Sequence, residues 1–219
     1  LKYARKMAVE SMVLLKNENN LLPLDKSANI ALVGPFATER RSLLGSWVID
    51  GKAEETPNLL ESIKKVVTGR VNYSSGVGLN WDGTLNAMKN SDVVILTLGE
   101  SWTATGESRA VSNISIPDEQ IALIRKARAS GKKVVGVLFC GRPIAMEGIA
   151  DNFDALLYAW HSGSETAGAV CDILFGDAVP SGKLPVTIPR LATHIPPYYN
   201  VTSSGRPVNC YYDENPGAC

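Results

Sequence analysis

The sequence predicts an α/β fold, a sandwich whose largely parallel sheet carries helices on both faces. Two observations predict it. The segments Asn29–Val33, Asp92–Leu98, Lys133–Phe139 and Ala155–Trp160 are short runs apolar nearly throughout, the pattern of strands buried on both faces. Between them stand segments with apolar residues at helical spacing, and strand alternating with helix is the mark of a parallel sheet with crossover helices. One domain spans 1–219, with an extended tail from about residue 180.

The elements follow in order. Leu1, Ala4, Met7 and Ala8 give residues 1–10 a helical face. Met12–Leu15 is an apolar run that fits either a strand or a helix end. Leu21–Leu24 contains Pro23 and is expected to be irregular or an edge strand. The strand at 29–33 stops at Gly34-Pro35, and 39–44 fits a short helix ended by Gly45. Thr56-Pro57 opens a helix to about Val67, with Leu59, Leu60, Ile63 and Val66 on one face. Arg70–Tyr73 is a short strand, and Gly76 and Gly78 mark a loop. Asp82–Asn90 is helical. Asp118–Ser130 is an amphipathic helix ended by Gly131, with Pro117 placed for its first turn and Asp118 and Glu119 favoured by its dipole. Gly141-Arg142-Pro143 follows the strand at 133–139. Thr166–Phe175 is a helix ended by Gly176. From Pro180 onward prolines and glycines crowd the chain, so it reads as a tail laid over the domain, without repeats or charge blocks.

Composition narrows the function classes. The 219 residues suffice for a large core. Basic and acidic side chains number 22 each, for a net charge of zero, which gives no electrostatic reason to expect nucleic acid or an anionic membrane as partner. No apolar run approaches the ~18 residues of a membrane span. Leu1 already sits inside a helical pattern, with neither an initiator methionine nor a signal peptide before it, so the chain reads as a fragment or processed product. The four cysteines are too few for a disulfide scaffold of this size. Cys140 and Cys171 read as buried free thiols, while Cys210 and Cys219 lie in the tail, where pairing is open. No spacing resembles a zinc site, and no cofactor is expected.

The stretch from Val93 to Gln120 holds the best site candidate. A buried strand, VVILTLG, runs into a polar loop and then into the helix opened by SIPDEQ. Ligands of open α/β sheets bind beyond the carboxyl ends of the strands. The loop there carries two carboxylates, Glu100 and Glu107, the cation Arg109 and the aromatic Trp102. Paired carboxylates suffice for glycoside hydrolysis, one giving a proton and the other attacking or activating water. The plainer alternative is that both glutamates are solvated and idle, with Arg109 in a local ion pair of small worth. Trp102, Trp160 and His161 are candidates to line a sugar site, although a strand-end tryptophan such as Trp160 is by default structural.

Other patterns carry less. Gly34-Pro35 and Gly76-Val77-Gly78 do not form GxGxxG, and no phosphate-loop motif occurs, so these glycines read as turns. Ser162 beside His161 in sequence does not establish triad geometry, and no G-x-S-x-G elbow is present. Sequons occur at Asn72, Asn113 and Asn200; they matter only in a glycosylating pathway.

A family resemblance emerges from longer segments. ARKMAVESMVLLKNENNLLPL, IALVGPFA, LGSW, SDVVILTLGE, GESRA, SIPDEQIALI, GKKVVGVLFCGRPIAM, ALLYAWHSGSETAGAVCDILFGDAVPSGKLPVTIPR and IPPYYNVTSSGRP resemble, in order, the second domain of glycoside hydrolase family 3. The likeness is strongest to its bacterial periplasmic β-glucosidase type and spans nearly the whole chain. The resemblance implies a six-stranded α/β sandwich that follows a TIM barrel, which this chain lacks. It implies that the barrel holds the aspartate nucleophile and most of the sugar pocket, while the sandwich lends the general acid/base from the loop after Gly-Glu. Glu107 is the implied acid/base, with Glu100 as runner-up and Glu100, Trp102 and Arg109 as substrate-binding residues. The implied partners are a β-glucoside or β-linked oligosaccharide and the barrel, and the implied location is periplasmic or secreted. The isolated domain is expected to be inactive. A non-catalytic carbohydrate- or partner-binding module is the alternative, and a flavodoxin-like nucleotide binder is weaker because the phosphate loop is absent.

Overall fold

The computed structural model describes residues 1–78 and 81–194. Its helices are α1 (Lys2–Ser11), α2 (Arg41–Leu44), α3 (Leu59–Val66), α4 (Trp81–Lys89), α5 (Asp118–Ala129) and α6 (Thr166–Leu174). Its strands are β1 (Val13–Asn17), β2 (Ile30–Val33), β3 (Val71–Ser74), β4 (Val93–Gly99), β5 (Lys133–Phe139) and β6 (Ala155–Tyr158). They form one six-stranded sheet in the order β1-β6-β5-β4-β2-β3. Every pairing is parallel except β1 with β6, which is antiparallel.

Side chains alternate across the pleat and so feed two cores. Val93 and Ile95 of β4, with Val135, Val137 and Phe139 of β5, pack into the layer that holds Leu59 and Ile63 of α3 and Val170 and Leu174 of α6. Val94, Leu96 and Leu98, with Val134 and Leu138, face the opposite layer, against Met88 of α4 and Leu123, Ile124 and Ala127 of α5. Every residue of β4 is buried, as a central strand covered on both faces requires. This is the expected three-layer sandwich.

Several element ends differ from the sequence reading by one to three residues, and three of them have a clear physical cause. The helix expected from Thr56-Pro57 starts at Leu59, because Asn58 caps it: the Asn58 side chain accepts from Glu61 N at 2.9 Å, and Glu61 accepts from Asn58 N at 3.3 Å. Pro117 stands at the N-cap of α5 instead of its first turn. The last strand stops at Tyr158, because Trp160 turns into the left-handed region at φ 57°. Met12–Leu15 resolves as strand, with Val13 paired to Tyr158 and Leu14 to Leu157 at the sheet edge. Leu21–Leu24 is irregular, with a cis Leu22–Pro23 bond. Cys140 and Cys171 are buried free thiols. Cys210, Cys219, the sequon at Asn200 and the tail beyond 194 lie outside the described residues.

At Gly34 the turn reading has a packing cause. A Cβ there would stand 2.2 Å from the Thr97 carbonyl oxygen, at φ 127°, so the chain crosses β4 at a distance only glycine permits.

Candidate functional site

The parallel strands β2, β4, β5 and β6 all deliver their carboxyl ends to one edge. Three segments meet there: the loop from Glu100 after β4, Cys140-Gly141-Arg142 after β5, and Ala159-Trp160-His161 after β6. Gly45-Ser46-Trp47, following α2, completes the group.

The loop is clipped at several points. Gln120, buried in α5, accepts from Gly99 N at 2.8 Å and donates to Gly99 O at 2.9 Å, which locks the loop's two roots together. The Trp102–Ala104 turn is capped by Ser101, whose hydroxyl accepts from Thr103 N. Ser46 Oγ lies 2.8 Å from Trp102 O and 2.6 Å from Thr105 O. A Cβ on Gly141 would meet Thr105 Oγ1 at 2.4 Å, so the loop rests directly on the backbone after β5. Beyond Thr105 the chain turns tightly through Gly106 (φ 124°) and Ser108 (φ 60°), closed by Arg109 N donating to Gly106 O at 3.2 Å.

Glu107 stands at the tip of that turn and is exposed. It lines a hollow of about 170 Å³ with Trp47, Trp102 and Arg109. The structure therefore brings together three of the four expected site residues, Trp102, Glu107 and Arg109. Among the described residues no ion pair joins Glu107 to Arg109 or to any other cation. An adjoining hollow of about 320 Å³ shares Ser46, Trp47, Thr105 and Gly106, and is lined also by Trp160 and His161.

Glu100 is in a different place. Its side chain is 9% exposed and paired with Arg142, whose Nη2 donates to Oε1 at 2.5 Å. Burial pushes the Glu100 carboxyl above the usual carboxylate range against the opposing pull of Arg142. Its Oε2 has no hydrogen-bond partner among the described residues. The hollow that Glu100 lines is the one beside Phe36, Ser42 and Gln120, not the one with Glu107.

His161 Nε2 lies 3.2 Å from Glu100 O. Burial lowers the His161 pKa, and the backbone carbonyls of Glu100 and Phe139 oppose the shift. Ser162 donates instead to Ala159 O at 2.6 Å. Among the described residues no cluster of three or more His, Cys, Asp and Glu side chains is arranged to hold a metal ion.

Sequence reasoning missed Trp47 and Arg142 as members of this edge. Trp47 is 74% exposed, and its only mark in the sequence is an aromatic two residues after Gly45. Arg142 stood in a Gly-Arg-Pro turn with nothing local to mark its partner. An exposed carboxylate in a hollow lined also by two tryptophans and an arginine suits proton transfer to a ring-shaped polyol, since aromatic side chains take apolar ring surfaces and charged groups take hydroxyls.

Comparison with known proteins adds an independent line. The family model described as the glycosyl hydrolase family 3 C-terminal domain matches residues 12–217. A periplasmic beta-glucosidase of Salmonella typhimurium is 37% identical over 95% of this chain and 31% of its own length. A beta-xylosidase of Formosa agariphila is 33% identical over 90% of the chain and 29% of its own. The crystal structure of a beta-glucosidase from Listeria innocua in complex with isofagomine superposes with a TM-score of 0.90 at 37% identity, covering 97% of this chain and 30% of that one. The chain thus spans about three-tenths of the length of these relatives.

Proposed function

This chain belongs to glycoside hydrolase family 3 as its C-terminal domain, and from that premise we propose that it supplies Glu107 as the general acid/base of a retaining, exo-acting β-glycosidase. The nucleophile and most of the sugar pocket then lie on a TIM barrel joined to it in the longer protein. The observation that carries the reading is the contrast between the two loop carboxylates. Glu107 is exposed at the tip of a clipped loop and shares a hollow with Trp47 and Trp102, whereas Glu100 is committed to Arg142 underneath.

In this mechanism the barrel carboxylate attacks the anomeric carbon while Glu107 protonates the departing oxygen. Glu107 then takes a proton from the water that releases the sugar. Retention places the two carboxyl groups about 5–5.5 Å apart, so the hollow beside Glu107 is the face that meets the barrel. Trp102 and Arg109 sit where they would contact the leaving-group side of the substrate. Terminal β-D-glucosyl residues are the proposed substrate, in line with relatives named beta-glucosidases, with β-xylosyl the nearest competitor. A relative named periplasmic supports a periplasmic or secreted location. The 219 residues alone are proposed to be inactive.

The test is Glu107→Gln beside Glu100→Gln in the protein with its barrel, assayed on aryl β-glucosides of graded leaving-group ability. The reading expects Glu107→Gln to lose about 10²-fold or more in kcat/KM on poor leaving groups and far less in kcat/KM on activated ones, for which the loss falls on deglycosylation and so on kcat. A non-catalytic module would show wild-type rates for Glu107→Gln on both, and a wrong choice of carboxylate would move the pattern to Glu100→Gln.

A further inference from the structure

We propose that Arg142 is a positioning residue that closes the stem of the loop carrying Glu107, an inference that rests on the role given to Glu107 above. Arg142 follows β5, and one of its nitrogens spans the loop. Nη2 donates to Glu100 Oε1 at 2.5 Å and to Asn113 O at 3.2 Å. Glu100 is where the loop leaves β4, and Asn113 lies on its return path to α5. The guanidinium therefore joins the outgoing limb to the incoming one and marks off residues 101–112 as the arc between them.

The clasp is itself held. Arg142 Nη1 donates to Pro143 O at 3.0 Å. The Arg142 carbonyl accepts from the Tyr158 hydroxyl at 2.7 Å, which ties it to the end of β6. The Arg142 and Glu100 side chains are 13% and 9% exposed, so little solvent screens the pair. A lysine at this position would keep the charge but lose the planar fork that addresses several acceptors at fixed angles. Neither Arg142 nor Glu100 lines the hollow beside Glu107. Their action is on the loop's path: displacing a proton donor by about 1 Å can cost on the order of a hundredfold in rate.

The experiment uses the full-length protein with its barrel and the variants Arg142→Ala and Arg142→Lys, with Glu107→Gln as reference. Two quantities are read. Amide exchange is followed over 101–112 and over β4 and β5. The ratio of kcat/KM between a phenyl and a 2,4-dinitrophenyl β-glucoside reports how well the acid is placed. The expected result is faster exchange confined to 101–112 and a phenyl-to-dinitrophenyl ratio lowered about tenfold or more in Arg142→Ala, with Arg142→Lys between it and wild type. If Arg142→Ala does not fold, the same two shifts in Arg142→Lys carry the test. Unchanged exchange over 101–112, or an equal loss on both substrates while Glu107→Gln shows a selective one, overturns the inference. If Glu107→Gln itself loses both substrates equally, the acid assignment fails, and the exchange data still decide whether Arg142 holds the loop.

Discussion

The guanidinium carbon of Arg41 lies 4.2 Å from the centroid of the Trp102 ring. The same side chain donates from Nη1 to Gly45 O at 2.6 Å, so one arginine ties the turn after β4 to the segment that presents Ser46 and Trp47. A cation over an indole face at a partly exposed site is worth about 0.5–1 kcal/mol. A double-mutant cycle of Arg41→Ala and Trp102→Ala, read by urea unfolding, is expected to show a coupling of about that size. Strict additivity of the two losses would mean the contact contributes nothing.

Gly99 fixes where the loop begins. At φ 136°, a Cβ there would lie 2.0 Å from the Phe139 carbonyl oxygen, inside the β4–β5 pairing. Gly99→Ala is expected to destabilise the fold by about 2 kcal/mol or more through strain and overlap. Its thermal midpoint relative to wild type measures this, and a shift of less than a degree would contradict the geometry.

Asp154 links stability to acid. Burial disfavours its charge. Its bonds from Val134 N at 2.9 Å and Lys133 Nζ at 3.0 Å, with Arg128 nearby, outweigh that cost and hold its pKa below the ordinary value. A carboxyl depressed in the folded state stabilises above its unfolded pKa of ~3.9 and loses that contribution as pH falls through the lower folded value. Asp154→Asn is expected to cost about 1–3 kcal/mol at neutral pH. The gap from wild type should narrow only below pH ~4. Denaturation midpoints across pH 2–7 check this, and a gap constant down to the lowest pH would refute it.

Cys140 and Cys171 should be inert in the folded protein. Burial, the first cause in both, pushes each thiol up to about 12, so thiolate is scarce at neutral pH. Alkylation mapped by mass spectrometry should spare both residues until denaturant is added. Rapid labelling of either in buffer would show that its surroundings open.

Much of the architecture was legible because the deciding signal is local. β4 and β5 are each apolar along nearly their whole length, and that pattern has few structural solutions. β1 was ambiguous because its sequence ends in Lys16 and Asn17 and its state is set by β6, far along the chain. The start of α3 differs because the Thr56-Pro57 signal stands directly before the Asn58–Glu61 capping box, which sets the first helical residue at Leu59. The site divides the same way. Trp102, Glu107 and Arg109 are neighbours in sequence and stay neighbours in space. Arg142 comes under Glu100 only because β4 and β5 pair in the register Gly99 to Phe139, and no sequence pattern encodes that register. Trp47 joins them through hydrogen bonds from Ser46, which are equally invisible beforehand.

The most direct measurement of the central claim is azide rescue of Glu107→Ala in the protein with its barrel, using an activated aryl β-glucoside. With the acid/base gone, the glycosyl-enzyme accumulates, and a small anion can take the place of the water that Glu107 would have deprotonated. Rate recovery with azide and formation of the β-glycosyl azide are the predicted results. No azide dependence in Glu107→Ala, with a β-glycosyl azide formed by Glu100→Ala instead, would contradict the account.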